Sequence, residues 1–103
     1  MTLRQKQSKF VVMIALLITK ATALGFEMSF GDAYRSVSVP YGHPNSLHRA
    51  RLALDLNLYR DGRYLTKTED HLLLGEYWES IGGSWGGRFG DGNHYSLKHE
   101  DMR

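Results

Sequence analysis

The chain has 103 residues, a length that predicts one small domain with a single modest core. Its composition, 42% hydrophobic and 23% charged, is typical of a folded globular protein and excludes a disordered, collagen-like or coiled-coil chain. The absence of cysteine excludes a disulfide framework, a thiolate zinc finger and a cysteine nucleophile, so any metal site must use His, Asp or Glu. The net charge is only +2, from 13 scattered basic and 11 acidic residues, and does not predict binding to nucleic acid.

The N-terminal segment allows two interpretations. Its apolar run, residues 10–19, follows three cations and precedes the small residues 21–23, as in a cleavable signal peptide. The same residues place an apolar stripe on one face of a helix, and we favour this interpretation because removing residues 1–23 would take away the best core element. Ser8 is the expected cap of this helix and Gly25 its expected end. The run is too short to span a membrane, so we expect no stable membrane insertion.

Beyond residue 25, the sequence predicts short strands and one more helix. The clearest strand is 52–58, where four leucines on one face alternate with Ala53, Asp55 and Asn57 on the other. Further strands are predicted at 26–30, 63–65 and 93–97, and a helix at 68–81. Loops are expected at 36–47 and in the glycine-rich segment 82–92, and a polar tail at 98–103. We therefore predict one α+β domain over residues 1–103, with two main helices packed on a small, mainly antiparallel sheet.

Polar side chains near this strand form a candidate metal site. Asp55 lies in the middle of the leucine-rich strand, His48 precedes it by seven residues, and the last strand begins near His94. Two histidines and one carboxylate are a common ligand set for catalytic zinc, which keeps a fourth position for water. The spacing alone is also compatible with a solvated Asp and a structural His, because such residues recur by chance.

The spacing constrains how these residues can meet. Seven residues of extended strand cover roughly 23 Å and place His48 and Asp55 on opposite faces. Residues 48–52 must therefore turn before the strand begins, and the strand that carries His94 must lie beside the strand that carries Asp55.

Three motifs resemble those of one enzyme family. The pattern S-x-H-x-x-R-x-A-x-D at residues 46–55 resembles the S-x-H-x-x-G-x-A-x-D motif of the zinc D-Ala-D-Ala carboxypeptidase and L-alanyl-D-glutamate peptidase family, known as peptidase M15. The D-x-x-H segment from Asp91 to His94 is similar to the one that closes the site in the phage endolysin branch. Residues 34–36 are similar to the Tyr-Arg-Ser that follows the first strand. The resemblance covers about residues 8–97 and implies the M15, hedgehog-like peptidase fold with a zinc cleft.

The resemblance also implies a role for each matching residue. His48, Asp55 and His94 would bind one zinc ion per chain. Asp91 would be the general base that takes a proton from the attacking water and passes it to the leaving amine. Arg35 would stabilise the oxyanion or hold a substrate carboxylate, and Ser46 would support the site by hydrogen bonding.

Three further residues bear on the site. Arg51 replaces the glycine of the family motif, which predicts a looser turn or a basic residue at the rim of the cleft. Trp85 is expected either to pack beneath the site or to line the cleft. His43 lies close enough in sequence to contact the substrate.

These expectations describe a monomeric zinc metallopeptidase that hydrolyses peptidoglycan stem peptides, above all an L-alanyl-D-glutamate endopeptidase of phage endolysin type. A D-alanyl-D-alanine carboxypeptidase with the same machinery is the alternative. A non-catalytic cell-wall-binding or virion structural protein is an alternative of another class. If phage-encoded, the protein would be made in the host cytoplasm and act in the periplasm or cell wall; secretion by an N-terminal signal is the less favoured route.

Overall fold

The protein combines two α-helices with a small antiparallel sheet. The computed structural model describes residues 1–34, 36 and 46–99. Helix α1 spans Leu3–Ala23 and helix α2 spans Leu72–Ser80. The strands are β1 (Glu27–Phe30), β2 (Ala53–Arg60), β3 (Arg63–Leu65), β4 (Ser84–Trp85) and β5 (His94–Ser96). Two 3₁₀ turns, Thr68–His71 and Gly86–Phe89, precede α2 and follow β4. The α+β class predicted from the sequence is confirmed.

Strand β2 is the centre of the sheet. The strand order is β1-β2-β5-β4, with β3 also paired to β2, and each described pairing is antiparallel. The predicted alternation along β2 is confirmed: Leu54, Leu56 and Leu58 are buried, whereas Asp55 and Asn57 are half-buried on the opposite face. One face of the sheet therefore builds the core and the other carries the polar groups.

Helix α1 begins earlier than the sequence analysis predicts. Its N-terminal cap is Thr2, which forms a capping box with Gln5, and Ser8 lies inside the helix. The prediction of a Ser8 cap is wrong, because residues 4–7 are favourable helix formers and the Thr2–Gln5 pair satisfies the first free backbone N–H groups. The predicted end is confirmed, since Gly25 adopts a left-handed φ of 87°.

The predicted apolar stripe of α1 is also confirmed. Phe10, Met13, Leu17 and Ala21 are buried. Among the described residues, no helix has the length and apolarity needed to cross a membrane.

Trp78 of α2 joins both helices to the sheet. Its indole is fully buried, packs edge-on against Phe10 of α1 with ring centroids 5.8 Å apart, and packs against Tyr95 of β5 at 5.9 Å. Its Nε1–H donates to the Ser96 carbonyl at 2.9 Å. This contact holds β5 in place beside β2, and β5 carries His94.

The second predicted helix is split at its start. Residues 68–71 form a 3₁₀ turn, and the α-helix begins only at Leu72. The Asp70 side chain accepts a hydrogen bond from the backbone N–H of Lys67 and tightens this first turn.

Candidate metal centre

Three side chains from distant parts of the sequence converge on the polar face of the sheet. One ligand atom from each of His48, Asp55 and His94 lies within 4.8 Å of the other two. His48 Nε2 is 3.2 Å from Asp55 Oδ1, and His94 Nδ1 is 3.3 Å from the same oxygen. His48 is buried, and the other two are half-buried. The three residues singled out from the sequence thus form one cluster.

The register of two strands positions Asp55 and His94. Asp55 of β2 and His94 of β5 are direct cross-strand neighbours, and such neighbours project from the same face of a sheet. The expectation that these two strands lie side by side is therefore confirmed. On the other edge of β2, Gly31 N–H donates to the Asp55 carbonyl at 2.7 Å, and Asp55 N–H donates to the Asp32 carbonyl at 2.8 Å. Both edges of β2 thus fix Asp55.

A tight turn brings His48 to the cluster. Hydrogen bonds from Arg49 N–H to Ser46 O and from Leu52 N–H to Leu47 O close residues 46–52 into this turn, as the spacing argument requires. The buried Ser46 hydroxyl accepts a hydrogen bond from the backbone N–H of His48 at 3.2 Å. Ser46 therefore shapes the turn that carries a candidate ligand.

Arg51 preserves the geometry that a glycine would give. Its φ of 58° lies in the left-handed region, which glycine adopts without strain. Of the two alternatives expected from Arg51, the looser turn is wrong, because the tight turn persists with the arginine in a left-handed conformation; the basic residue at the rim of the cleft stays a prediction. The Arg51 guanidinium lies 4.1 Å from the centre of the Tyr34 ring, and this stacking offsets part of the strain.

The hydrogen bonding of His48 fixes its tautomer. Its Nδ1 lies 3.2 Å from the carbonyl oxygen of Ala33, and a carbonyl can only accept, so Nδ1 carries the proton. In the neutral ring, Nε2 then points its lone pair at the Asp55 carboxylate, an arrangement of two acceptors that is unfavourable unless a cation lies between them. Histidine ligands are commonly held in this way, by a backbone carbonyl on the ring nitrogen away from the metal.

The electrostatics of Asp55 agree with a cation site. Burial raises the pKa of its carboxyl, but in the metal-free protein hydrogen bonds and charge from His48 and His94, when these rings are protonated, outweigh burial and lower the pKa from 3.8 to about 2. Asp55 is consequently a carboxylate, the form that binds metal, across the physiological range.

The distances fit a tetrahedral ion. Two ligands each about 2 Å from zinc in tetrahedral geometry lie about 3.3 Å apart. Two of the three separations, 3.2 and 3.3 Å from the histidine nitrogens to Asp55 Oδ1, match this edge length, and all three ligand atoms lie within 4.8 Å of one another. The donor set of two imidazoles and one carboxylate suits zinc. The residues present therefore fit a zinc ion with an open fourth position.

Asp91 lies on the segment that carries His94 but outside the cluster of three. Its side chain is exposed, its carbonyl accepts a hydrogen bond from His94 N–H at 3.2 Å, and its own N–H donates to the Gly86 carbonyl. Asp91 also lines a polar cleft. The D-x-x-H spacing thus produces a turn in which the exposed Asp91 is hydrogen-bonded through its backbone to the candidate ligand His94.

Trp85 packs beneath the site. It is buried, and its indole N–H donates to the Gly92 carbonyl at 2.8 Å. Gly75 of α2 and Gly87 both abut the indole so closely that neither position has room for a Cβ. Trp85 was expected either to pack beneath the site or to line the cleft, and the structure shows that it packs. Arg35 and His43 lie outside the described residues.

Sequence reasoning missed the groups that support the ligands. Gly86 lies against His94, and Gly31 lies against Asp55. A Cβ at Gly31 would lie only 3.0 Å from the Asp55 Cβ, which is closer than normal packing allows. The glycine-rich composition of residues 82–92 indicated that their backbone approaches another group closely, but not which group. The contact of His48 with the Ala33 carbonyl could not be predicted, because a backbone carbonyl is present at every residue.

Comparison with known proteins identifies the class. The family model described as D-alanyl-D-alanine carboxypeptidase, of peptidase group M15, matches residues 41–97, a range that holds all three clustered residues and more than half of the chain. The chain therefore belongs to this peptidase M15 family, and the enzyme class is a peptidoglycan-related metallopeptidase. No curated protein matches the chain.

Proposed function

We propose that the protein is a zinc-dependent peptidase that hydrolyses peptidoglycan stem peptides, as an L-alanyl-D-glutamate endopeptidase of phage endolysin type. The observation that carries this proposal is the convergence of ligand atoms of His48, Asp55 and His94 within 4.8 Å of one another, with the exposed Asp91 three residues before His94. The family membership independently supports peptidase chemistry.

The ligand roles follow from the contacts of the three residues. His48 would bind through Nε2, because Nδ1 is committed to the Ala33 carbonyl. His94 would bind through Nδ1, the nitrogen that faces Asp55. When bound, zinc lowers the pKa of a water to about 7 and polarises a carbonyl.

The remaining steps belong to side chains of the protein. Asp91, which is exposed and lies three residues before His94, would take a proton from the attacking water and deliver it to the leaving amine, a role that contributes about 10²–10⁴-fold in rate. Arg35 would stabilise the oxyanion or hold a substrate carboxylate. Ser46 and Trp85 would support the site from the buried side, and His43 would contact the substrate.

A D-alanyl-D-alanine carboxypeptidase is the second candidate, favoured by the description of the matching family. The two activities share the same hydrolytic step and differ only in which peptide bond of the stem peptide is cleaved. The endopeptidase separates L-alanine from the D-glutamate remainder, whereas the carboxypeptidase releases only the terminal D-alanine.

Mass spectrometry of digested peptidoglycan fragments tests both candidates. We expect zinc-loaded protein to cleave the L-alanyl-D-glutamate bond, a chelator to abolish cleavage, and Asp91→Asn to lose at least about 100-fold in rate while retaining metal. Asp61→Asn is the matched control, because Asp61 is exposed at the β2–β3 turn and its φ of 51° is one that asparagine tolerates.

Each other outcome has a clear meaning. Release of D-alanine alone would establish the carboxypeptidase. Full activity of Asp91→Asn would remove Asp91 as the base. Fragments that stay unchanged under every zinc condition would overturn the enzyme, and wall affinity indifferent to chelator would then support the cell-wall-binding or virion structural alternative.

A further inference from the structure

Helix α1 presents an apolar surface on its outer face as well as on the face that packs against the core. All nine residues from 10 to 18 are apolar. Val11, Val12 and Leu16 keep 67%, 61% and 46% of their surface exposed, and Ala15 is also exposed. A helix that only covers a core carries polar residues on its outer face, so packing within the domain does not account for these four side chains.

The four exposed side chains form one continuous patch. Val11 and Ala15 are four residues apart, as are Val12 and Leu16, and residues at this spacing are neighbours on a helix surface. Val12 and Ala15 are three residues apart, so they join the two pairs. We call Val11, Val12, Ala15 and Leu16 the outer patch.

Cations border the outer patch at both ends. Lys9 precedes Val12 by three residues and Lys20 follows Leu16 by four, so both lysines lie on the helix stripe that contains Val12 and Leu16. Both lysines are exposed. Residues 3–23 hold two further cations and no acid. The helix therefore combines an apolar centre with positively charged ends.

An anionic lipid surface matches this arrangement. Exposed apolar side chains can enter the boundary between headgroups and acyl chains, while lysines beside them reach the lipid phosphates. The apolar segment is about 14 Å long, less than half of the roughly 30 Å hydrocarbon core of a bilayer. Its opposite face is buried in the core of the domain through Phe10, Met13 and Leu17. The geometry thus suits a helix that lies along a membrane surface.

A second copy of the chain matches the outer patch less well. If two outer patches packed in antiparallel fashion, Lys9 of each helix would face Lys20 of the other, and in parallel packing each lysine would face its own counterpart. Helix α1 has no acid to pair with either lysine, and like charges across an interface are costly. The charge therefore favours a negatively charged partner over self-association.

We propose that α1 docks the folded domain on anionic membrane lipid, with the outer patch between the headgroups and with Lys9 and Lys20 at the lipid phosphates. The buried stripe of α1 stays in the core, so docking requires no unfolding. This inference goes beyond the proposed peptidase function and does not depend on it, because it uses none of the candidate metal ligands.

Co-sedimentation of the intact chain with lipid vesicles tests the proposal. We expect vesicles of equal parts phosphatidylglycerol and phosphatidylcholine to bind the protein at least about tenfold more tightly than vesicles of phosphatidylcholine alone. Val12→Gln combined with Leu16→Gln should weaken binding to the anionic vesicles at least about tenfold, because apolar contact is lost while glutamine preserves the helix. Lys9→Gln should weaken it about fivefold.

A pair of leucines on α2 provides the matched control. Leu72 and Leu73 are 41% and 60% exposed, close to the values for Leu16 and Val12, and they lie outside the outer patch. Leu72→Gln combined with Leu73→Gln should therefore bind vesicles like the unmodified protein. Circular dichroism verifies that both double variants fold.

Tryptophan fluorescence measures whether the outer patch enters the lipid. Trp78 and Trp85 are buried and contribute a constant background. With anionic vesicles, we expect Val12→Trp to show blue-shifted emission and quenching by brominated acyl chains, and Leu73→Trp to show neither.

Each contrary outcome overturns the docking. Equal binding to neutral and anionic vesicles would refute the role of the lysines, and an equal loss in the α2 control would refute the assignment to α1. If the protein ignored vesicles but formed a dimer in analytical ultracentrifugation that Val12→Gln with Leu16→Gln abolished, the outer patch would be an interface between copies. Cleavage of peptidoglycan fragments in solution should be unchanged in that double variant, so failure of the docking and failure of the peptidase can be told apart.

Discussion

Gly86 supports the candidate ligand His94 by direct contact. A Cβ at this position would collide with the Asp91 carbonyl oxygen and would lie 2.6 Å from the Cβ of His94. Gly86 also accepts the hydrogen bond from Asp91 N–H. Because the collision involves backbone on one side and a candidate ligand on the other, the turn must shift to make room for a side chain.

We therefore expect Gly86→Ala to weaken zinc binding about 10–100-fold, the range for losing the support of a metal ligand. Competition with a chromophoric chelator measures the affinity, and circular dichroism verifies that the variant folds. Gly90→Ala is the matched control, since a Cβ there meets nothing within 4 Å and only its φ of 79° is strained. Unchanged zinc affinity in Gly86→Ala would show that Gly86 does not hold His94 in place.

Residue types and spacing nominated the three clustered residues, and the motif resemblance assigned them as ligands, but neither specified the backbone that holds them. The alternation of leucine with Asp55 and Asn57 specified which face of β2 is polar, because a strand turns each successive side chain over. The difference in parity between His48 and Asp55 required a turn. The strained φ of Arg51, by contrast, could not be foreseen, because an arginine in a sequence gives no sign of a left-handed backbone.

At the scale of elements, a buried hydrogen bond joins the 3₁₀ turn that precedes α2 to β5. His71 Nδ1 lies 2.8 Å from the Tyr95 hydroxyl, and both side chains are buried. Burial lowers the pKa of His71 below 6.5, although the charge of Asp70 acts in the opposite direction. The neutral ring is consequently the form that the folded protein favours.

The sign of the pH dependence follows from this shift. The unfolded chain takes up a proton at His71 near pH 6.5, whereas the folded protein takes it up only at lower pH, so the unfolded state binds more protons in that window. We expect the free energy of unfolding of the metal-free protein to fall as the pH drops below about 6.5. His71→Gln should flatten this dependence, as measured by urea unfolding at a series of pH values. The other titrating groups are common to both proteins and cancel in the difference, so equal slopes would contradict the assignment.

The strand β5 can be predicted from the sequence, but its register with β2 cannot. The pattern at residues 93–97 predicts a strand, but the pairing of Asp55 with His94 depends on the length and shape of the 38 residues between them. That segment contains β3, α2 and β4, and the Trp78 contact with Ser96 helps to set where β5 lies. A register that is set by tertiary packing has no local pattern in the sequence, so it cannot be predicted from the sequence of the strand itself.

At the scale of the whole molecule, a bound ion would add a further cross-link between segments that strand pairing already holds side by side. His48 lies on the turn before β2, Asp55 within β2 and His94 on β5, so an ion shared by the three ties these segments together. A ligand that binds only the folded state stabilises it in proportion to the logarithm of its concentration relative to Kd, by about 2.7 kcal/mol at a hundredfold excess. In a domain of this size, that corresponds to a rise in Tm of roughly 10–20 °C.

We expect zinc to produce such a rise in calorimetry or thermal circular dichroism, and Asp55→Asn to remove most of it. Asp61→Asn makes the same chemical change at an exposed carboxylate outside the cluster and should retain the full rise. Magnesium should have little effect, because it prefers octahedral oxygen ligands to imidazole. If zinc raised the Tm of Asp55→Asn as much as that of the unmodified protein, the ion would bind elsewhere, and the catalytic scheme would lose its physical basis even though the three side chains converge.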